Sequence, residues 1–355
     1  MDKVRSAMSP PPMSDGRRLL NLITDVAGLR VGQALDTRAR TGVTVILPDD
    51  RAVCAVDVRG GGPGTRETDA LSPETLVDAV DAIVLSGGSV YGLAAADGVV
   101  AWLGARDRGF GLVVAPGVPR SPIVPAAILY DLANGGDKGW GQEPPYRDLG
   151  LAAIEAADRT FALGAAGAGA GAKAGVLKGG VGSASAVTSD GFTVGALAAV
   201  NSFGSVVAPG GRAFWAAPYE VGGEFGGTHL GGVQAGPEDW GLAKRRPQVG
   251  ANTTLACVAT DAILTPPQAR RLAIMAQDGL ARAIRPVHAP YDGDVIFALS
   301  TGRRPLGEDA VFTLTRLGAA AADCLARAVA RGVFEAHAWP GTDVVCWRDL
   351  PSDTL

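Results

Sequence analysis

The run Thr253-Thr254-Leu255-Ala256-Cys257-Val258-Ala259-Thr260 consists only of apolar residues and threonines, with neither Gly nor Pro. Branching at Cβ stiffens Thr and Val and favours extended backbone, so the run predicts a buried strand. What precedes it differs in kind, because Pro247, Gly250 and Asn252 are loop residues. Two hydroxyl side chains therefore stand where a loop enters a strand. By local pattern alone that is either an ordinary strand start or a placed hydroxyl, and such short patterns carry little specificity.

The rest of the chain bounds the choice. Its 355 residues suffice for one large α/β domain or two smaller ones, with 47% hydrophobic and 19% charged residues as in globular proteins. Fifty glycines point to an interior built from small residues. A net charge of -4 gives no basic field for a phosphate backbone, so nucleic acid is not an expected partner. No stretch is apolar for the ~18 residues that a membrane span needs. Cys54, Cys257, Cys324 and Cys346 are scattered without a CxxC pair. That spacing argues against a zinc site or a secreted disulfide scaffold and makes the cytoplasm the default location, with no metal or cofactor expected. Residues 1–20 combine Lys3, Arg5, Arg17 and Arg18 with Pro10, Pro11 and Pro12, which predicts a disordered tail rather than a signal peptide.

From Asn21 onward the pattern is ordered. Gly42 to Leu47 and Ala52 to Val58 predict two strands joined as a hairpin through Pro48-Asp49-Asp50. They lead to the cluster Gly60-Gly61-Gly62-Pro63-Gly64, where backbone can approach a ligand or another strand closely. Asp81 to Leu85 reads as a strand, Ser86-Gly87-Gly88-Ser89 as a turn with Ser86 or Ser89 as helix caps, and Val90 to Leu103 as a helix. The closing Gly of a G-x-S-x-G elbow is missing, and only His229, His288 and His337 are available as bases, which disfavours a Ser-His-Asp mechanism.

Gly164 to Gly182 alternates Ala and Gly around Lys173 and Lys178. Ala172 and Ala174 flank Lys173 where a phosphate loop needs Gly and Ser or Thr, so a tight packing surface or a backbone-lined pocket wall is the expectation. Phe192 to Val200 is a further strand ending at Asn201, and residues 209–250 read as a long loop. Thr265 and Pro266 open a helix carrying Leu272, Met275, Leu280 and Ile284 at helical spacing. Asp292-Gly293-Asp294 turns into the strand Val295 to Leu299, and a final helix runs from about Asp309 to Arg331 with Gly332 as its stop.

Taken together, Asn21 to Val31, Val56-Asp57-Val58-Arg59-Gly60-Gly61, Leu85-Ser86-Gly87-Gly88-Ser89-Val90-Tyr91-Gly92-Leu93, Leu177-Lys178-Gly179-Gly180-Val181-Gly182-Ser183-Ala184-Ser185, Val194 to Asn201 and Asn252-Thr253-Thr254 resemble the DmpA-type aminopeptidase family. That family of N-terminal-nucleophile hydrolases includes β-peptidyl aminopeptidases and nylon-oligomer hydrolases. The resemblance extends over nearly the whole chain in the family's order. It implies an α+β fold, an αββα four-layer sandwich of the DmpA/ornithine acetyltransferase type. It also implies a precursor that cuts itself between Asn252 and Thr253 into an α chain (1–252) and a β chain (253–355), assembling as a homotetramer of processed αβ units.

In that light Thr253 is the nucleophile and its freed α-amine the base, so no histidine is needed. Asn201 matches the oxyanion donor, and Tyr130 an active-site tyrosine. Asp292 and Asp294 match the acidic pair of nylon-oligomer hydrolases, where aminopeptidase members carry Ser and Glu; turn chemistry alone would make them strand caps. The family's assisting lysine falls near Val176 on an ungapped reading, between Lys173 and Lys178. Lys178 is the candidate, with a solvated surface charge as its other reading. The resemblance implies an amide hydrolase acting on peptide-like or 6-aminohexanoate oligomers. The alternatives are an aminopeptidase, β-peptidase or D-amino-acid amidase/esterase of the same family, acyl transfer like that of ornithine acetyltransferases, and a non-catalytic binding protein.

Overall fold

A computed structural model describes residues 19–245 and 252–351. Residues 1–18 of the expected tail lie outside the described residues, as do Pro247 and Gly250 ahead of Asn252. The first part of the chain supplies β1 (Leu29–Asp36), β2 (Thr41–Pro48), β3 (Val53–Val58), β4 (Thr65–Arg66), β5 (Ile83–Ser86) and β6 (Ala126–Ile128). Helices α1 (Ala95–Gly104) and α2 (Tyr146–Glu155) belong to the same part. Then come the short β7 (Lys173–Ala174) and β8 (Leu177–Lys178), and the longer β9 (Val181–Val187) and β10 (Thr193–Asn201). Last are β11 (Thr253–Ala262), α3 (Pro266–Ala283), β12 (Val295–Arg304) and α4 (Ala310–Phe334).

These strands form two five-stranded sheets, ordered β1-β2-β5-β6-β4 and β3-β12-β11-β10-β9, with β7 and β8 as a separate ribbon. Strand periodicity sorts the side chains into layers. In β11, Leu255, Cys257 and Ala259 join Ile46, Ile83 and Leu85 of the first sheet in one core, whereas Ala256 and Val258 join Leu272 of α3 and Leu325 of α4 in another. On the first sheet Val43, Val45 and Val84 pack instead with Val99 of α1 and Ile154 of α2. The result is helices, sheet, sheet, helices, as the resemblance implied. Both sheets are covered on both faces, which is why their strands read as continuous apolar runs rather than alternating ones.

Three local expectations are corrected. Residues 41–48 and 53–58 do not form a hairpin: β2 pairs with β1 and β5, whereas β3 pairs with β12 in the other sheet. The turn at Asp49-Asp50 thus carries the chain between sheets. Ser86 and Ser89 are not caps, because Ser86 Oγ donates to Gly87 O at 2.9 Å, and Ser89 has φ 52° and opens a 3-10 turn ahead of α1. Gly332 does not stop α4, which continues to Phe334; a Cβ there would lie 2.8 Å from Gly182 N, so the glycine serves close packing on β9. The α3 start stands as read, with Gln268 Oε1 accepting from Thr265 N at 2.9 Å.

The Ala/Gly tract packs backbone on backbone. A Cβ at Gly182 would fall 1.9 Å from Ala328 O of α4, and one at Gly169 2.3 Å from Val181 N. All four cysteines are buried free thiols. No helix among the described residues is long and apolar enough to cross a membrane.

Candidate active site

Pairing of β10 with β11 sets Asn201 directly opposite Thr253, and the β11–β12 pair places the loop before Val295 against the same strand end. Asn201, Asn252, Thr253, Asp292 and Asp294 meet there, none more than 3% exposed. Asn252 bridges to Asp292, and Gly293 N donates to Asn252 O at 2.9 Å. Thr253 Oγ1 donates to the same carbonyl oxygen. The carbonyl joining Asn252 to Thr253 is therefore polarised by two donors, one of them the Thr253 hydroxyl itself.

Gly293 has a steric reason to be glycine. A Cβ on it would lie 2.6 Å from Thr253 Oγ1 and 2.8 Å from Gly62 O. Behind it, the Gly60–Gly62 cluster makes the close approach expected of it: Gly62 N donates to Asp292 O at 2.7 Å, and Arg59 N to Asp294 O at 3.0 Å. A Cβ on Gly60 would fall 2.3 Å from Asp294 N. The loop bearing both acids is thus fixed by main-chain contacts from the end of β3.

The two carboxylates are held by N–H donors. Asp292 accepts from Phe203 N at 3.1 Å and Ala289 N at 3.2 Å. Asp294 accepts from Thr254 N at 2.8 Å and from His288 N at 3.1 Å, and its Oδ2 lies 2.9 Å from His288 Nδ1. Burial, reinforced by the neighbouring Asp294 charge, pushes the Asp292 carboxyl up to about 7.

Asn201 is fixed from both ends of its carboxamide: Oδ1 accepts from Lys173 N at 2.9 Å and Nδ2 donates to Tyr130 O at 3.2 Å. Tyr130 therefore reaches the cluster through its main chain. Asp131, the next residue, accepts from Thr41 Oγ1 and Gly88 N, both at 2.7 Å, and burial raises it to about 6. Lys178 is buried, contrary to a surface charge. Its Nζ donates to Gly169 O at 3.0 Å, Ala172 O at 3.1 Å and Gly179 O at 2.7 Å, not to the Thr253 cluster, and burial pushes the amine down to about 7.

A different lysine, absent from the sequence reading, stands in the cluster. Lys244 Nζ donates to Asn252 Oδ1 at 2.8 Å and to Asn201 O at 3.4 Å. It comes from the irregular stretch 209–245, where no periodicity marks it. Gly293 was equally hidden, since Asp-Gly-Asp reads as turn chemistry without the facing hydroxyl.

Residues 21–345 match the family model of Peptidase family S58. An uncharacterized aminopeptidase of Mycobacterium bovis is 46% identical over 93% of this chain and 98% of its own length. A 6-aminohexanoate-oligomer endohydrolase of Agromyces sp. is 31% identical over 82% of this chain and 77% of its own. Among solved structures, a β-aminopeptidase of Burkholderia sp. matches with TM-score 0.66 and 25% identity, covering 92% of this chain and 88% of that one. The L-aminopeptidase D-Ala-esterase/amidase of Ochrobactrum anthropi, described as a variant of the Ntn hydrolase fold, matches with TM-score 0.66 at 22% identity. It covers 96% of this chain and 91% of that one.

Proposed function

This chain belongs to peptidase family S58, and from that membership we propose that it is a self-processing amide hydrolase whose nucleophile is an N-terminal threonine created by cleavage before Thr253. The family makes it an aminopeptidase or amidase. The observation that carries the finer reading is the Asn252 carbonyl, which accepts from Gly293 N and from the Thr253 hydroxyl together.

In the first step Thr253 Oγ attacks the Asn252 carbonyl carbon, and its proton passes to the departing Thr253 nitrogen. An ester then joins the Asn252 acyl group to Oγ. Water hydrolyses it, leaving a carboxylate on Asn252 and a free α-amine on Thr253. Such an amine has a pKa of ~7.7–8.0, so near neutral pH part of it can accept the Oγ proton when a substrate amide is attacked. The acyl-Thr253 intermediate is resolved by water. Asn201 serves as the oxyanion donor, a role whose loss typically costs ~2.7–4 kcal/mol of transition-state stabilisation. Asp294 already holds Thr254 N next to the nucleophile, and with Asp292 it would orient the new amine.

The substrate class we propose is a peptide-like or 6-aminohexanoate oligomer amide. Threonine at the cut and the Asp292/Asp294 pair favour it, as does the 31% identical endohydrolase. Intact mass under denaturing conditions tests the processing: two chains, the smaller beginning Thr-Thr-Leu-Ala, are expected, and Thr253→Ala should give one uncut chain. Uncut wild-type protein without amidase activity would overturn the reading. Product analysis with 6-aminohexanoate oligomers, with and without added ornithine, separates hydrolysis from acyl transfer.

A further inference from the structure

Asn252 is the residue whose peptide bond is to be cut, and its two ends are held differently. The main-chain oxygen sits on Gly293 N at 2.9 Å. Among the described residues, the side chain has a single anchor: Oδ1 accepts from Lys244 Nζ at 2.8 Å, while the buried Nδ2 has no hydrogen-bond partner. An asparagine with an unsatisfied buried amide gains from turning unless something holds its other end. Lys244 is itself fixed, because its main-chain N donates to Phe203 O at 3.0 Å. Phe203 in turn packs edge-on against Trp240 and Tyr291 with centroids 5.9 and 5.0 Å apart. One short stretch thus ties the lysine, the Asp292 contact at Phe203 N and the Asn252 side chain together.

The charges facing the Lys244 amine are Asp292, which favours its protonation, and Lys173, which opposes it. Glu238, Asp239 and Arg245 line the adjoining cavity of about 310 Å³. Burial pushes the amine down to about 7. Charged or neutral, it keeps N–H donors for Asn252 Oδ1.

We propose that Lys244 is a positioning residue for self-cleavage: by gripping the Asn252 carboxamide it keeps the scissile carbonyl seated on Gly293 N and against the Thr253 hydroxyl. This rests on the reading that Thr253 cuts its own chain. The bond Lys244 controls is broken in that step, so its hold matters for processing before it matters for turnover.

The test follows processing during cell-free synthesis, with timed aliquots denatured and the cut and uncut chains resolved by mass. Lys244→Met is expected to slow processing by about 10- to 100-fold, the scale of a misplaced reacting group. Lys244→Arg, which keeps a donor, should recover part of the rate. Asn252→Ala should slow processing to a similar extent, and adding Lys244→Met to it should change little, since two residues acting through one contact are not additive. A merely structural lysine would instead slow both backgrounds equally, and that result overturns the proposal. Processing of Lys244→Met at the wild-type rate does so too, and if Thr253→Ala stays uncut, the threonine mechanism survives without it. Cleavage of Thr253→Ala would sink both. Should Lys244→Met fail to fold, Lys244→Arg with and without Asn252→Ala decides: equal rates for all would end the proposal.

Discussion

Lys178 and Lys244 are two lysines whose amines burial pushes down to about 7, and they differ in what surrounds them. Lys178 Nζ is caged by three main-chain carbonyls of the Ala/Gly tract, those of Gly169, Ala172 and Gly179. Lys244 Nζ meets a side chain, Asn252 Oδ1, with the Asp292 charge nearby. A backbone cage lasts as long as the fold does. A side-chain partner at a bond about to break is held only until it breaks. The same residue type thus serves the scaffold where it is fully buried and, under our proposal, the chemistry where it is half-buried.

The division breaks first if the backbone around Thr253 can be altered without consequence. Gly293→Ala places a Cβ 2.6 Å from Thr253 Oγ1 and 2.8 Å from Gly62 O. Displacing the hydroxyl by part of an ångström should slow processing by about 100-fold or more, followed by intact mass over time. Wild-type processing in Gly293→Ala would mean that the hydroxyl need not sit where it does.

Charge distinguishes the regions next. Asp292 is raised to about 7 from an ordinary carboxyl value of ~3.9, so between those values the folded chain binds more protons than the unfolded one. Its contribution is complete at low pH and is lost as pH rises through 7. Asp292→Asn should destabilise by ~1.5–3 kcal/mol near pH 5 through its contacts with Phe203 N and Ala289 N, and by less at pH 8. Urea melts of both chains in a Thr253→Ala background would check this; a difference that grows with pH contradicts it.

Lys178 has the opposite sign. With the amine near 7 in the fold and ~10.4 when free, the unfolded chain binds more protons in that window, so stability rises with pH across it. Lys178→Met leaves carbonyls of the cage without their donor and should destabilise by about 1–2 kcal/mol. The deficit relative to wild type should widen from pH 7 to pH 10 in the same melts. A deficit that narrows would show that the cage does not hold the amine as described.

The layers of this fold were readable because buried strands leave long apolar runs, as β10, β11 and β12 do, and because apolar residues recur at helical spacing in α3 and α4. The hairpin failed because a short turn between two good strands looks the same whether they pair or part into different sheets. Gly332 misled because a glycine near a helix end can stop it or let β9 approach, and only the neighbour decides. At the site, family resemblance marked Thr253, Asn201, Asp292 and Asp294, which the structure brings together. Lys244 and Gly293 left no sequence signal, since their meaning lies in contacts to Asn252 and Thr253 rather than in local pattern.

Tyr130 provides the finest test of backbone against side chain. The resemblance marks it as an active-site tyrosine, yet here its main-chain oxygen is what holds Asn201 Nδ2, at 3.2 Å. Tyr130→Phe keeps that carbonyl and the Lys173 N contact on the other end of the carboxamide. Processing should therefore change by no more than about 0.5 kcal/mol, or little over a factor of two in rate. If the phenol acts on substrate, amide turnover by the processed enzyme should fall further than that, so the two rates separate. Equal losses in both would instead mean that the hydroxyl already works on the Asn252 carbonyl, and that Asn201 is placed by more than the main chain.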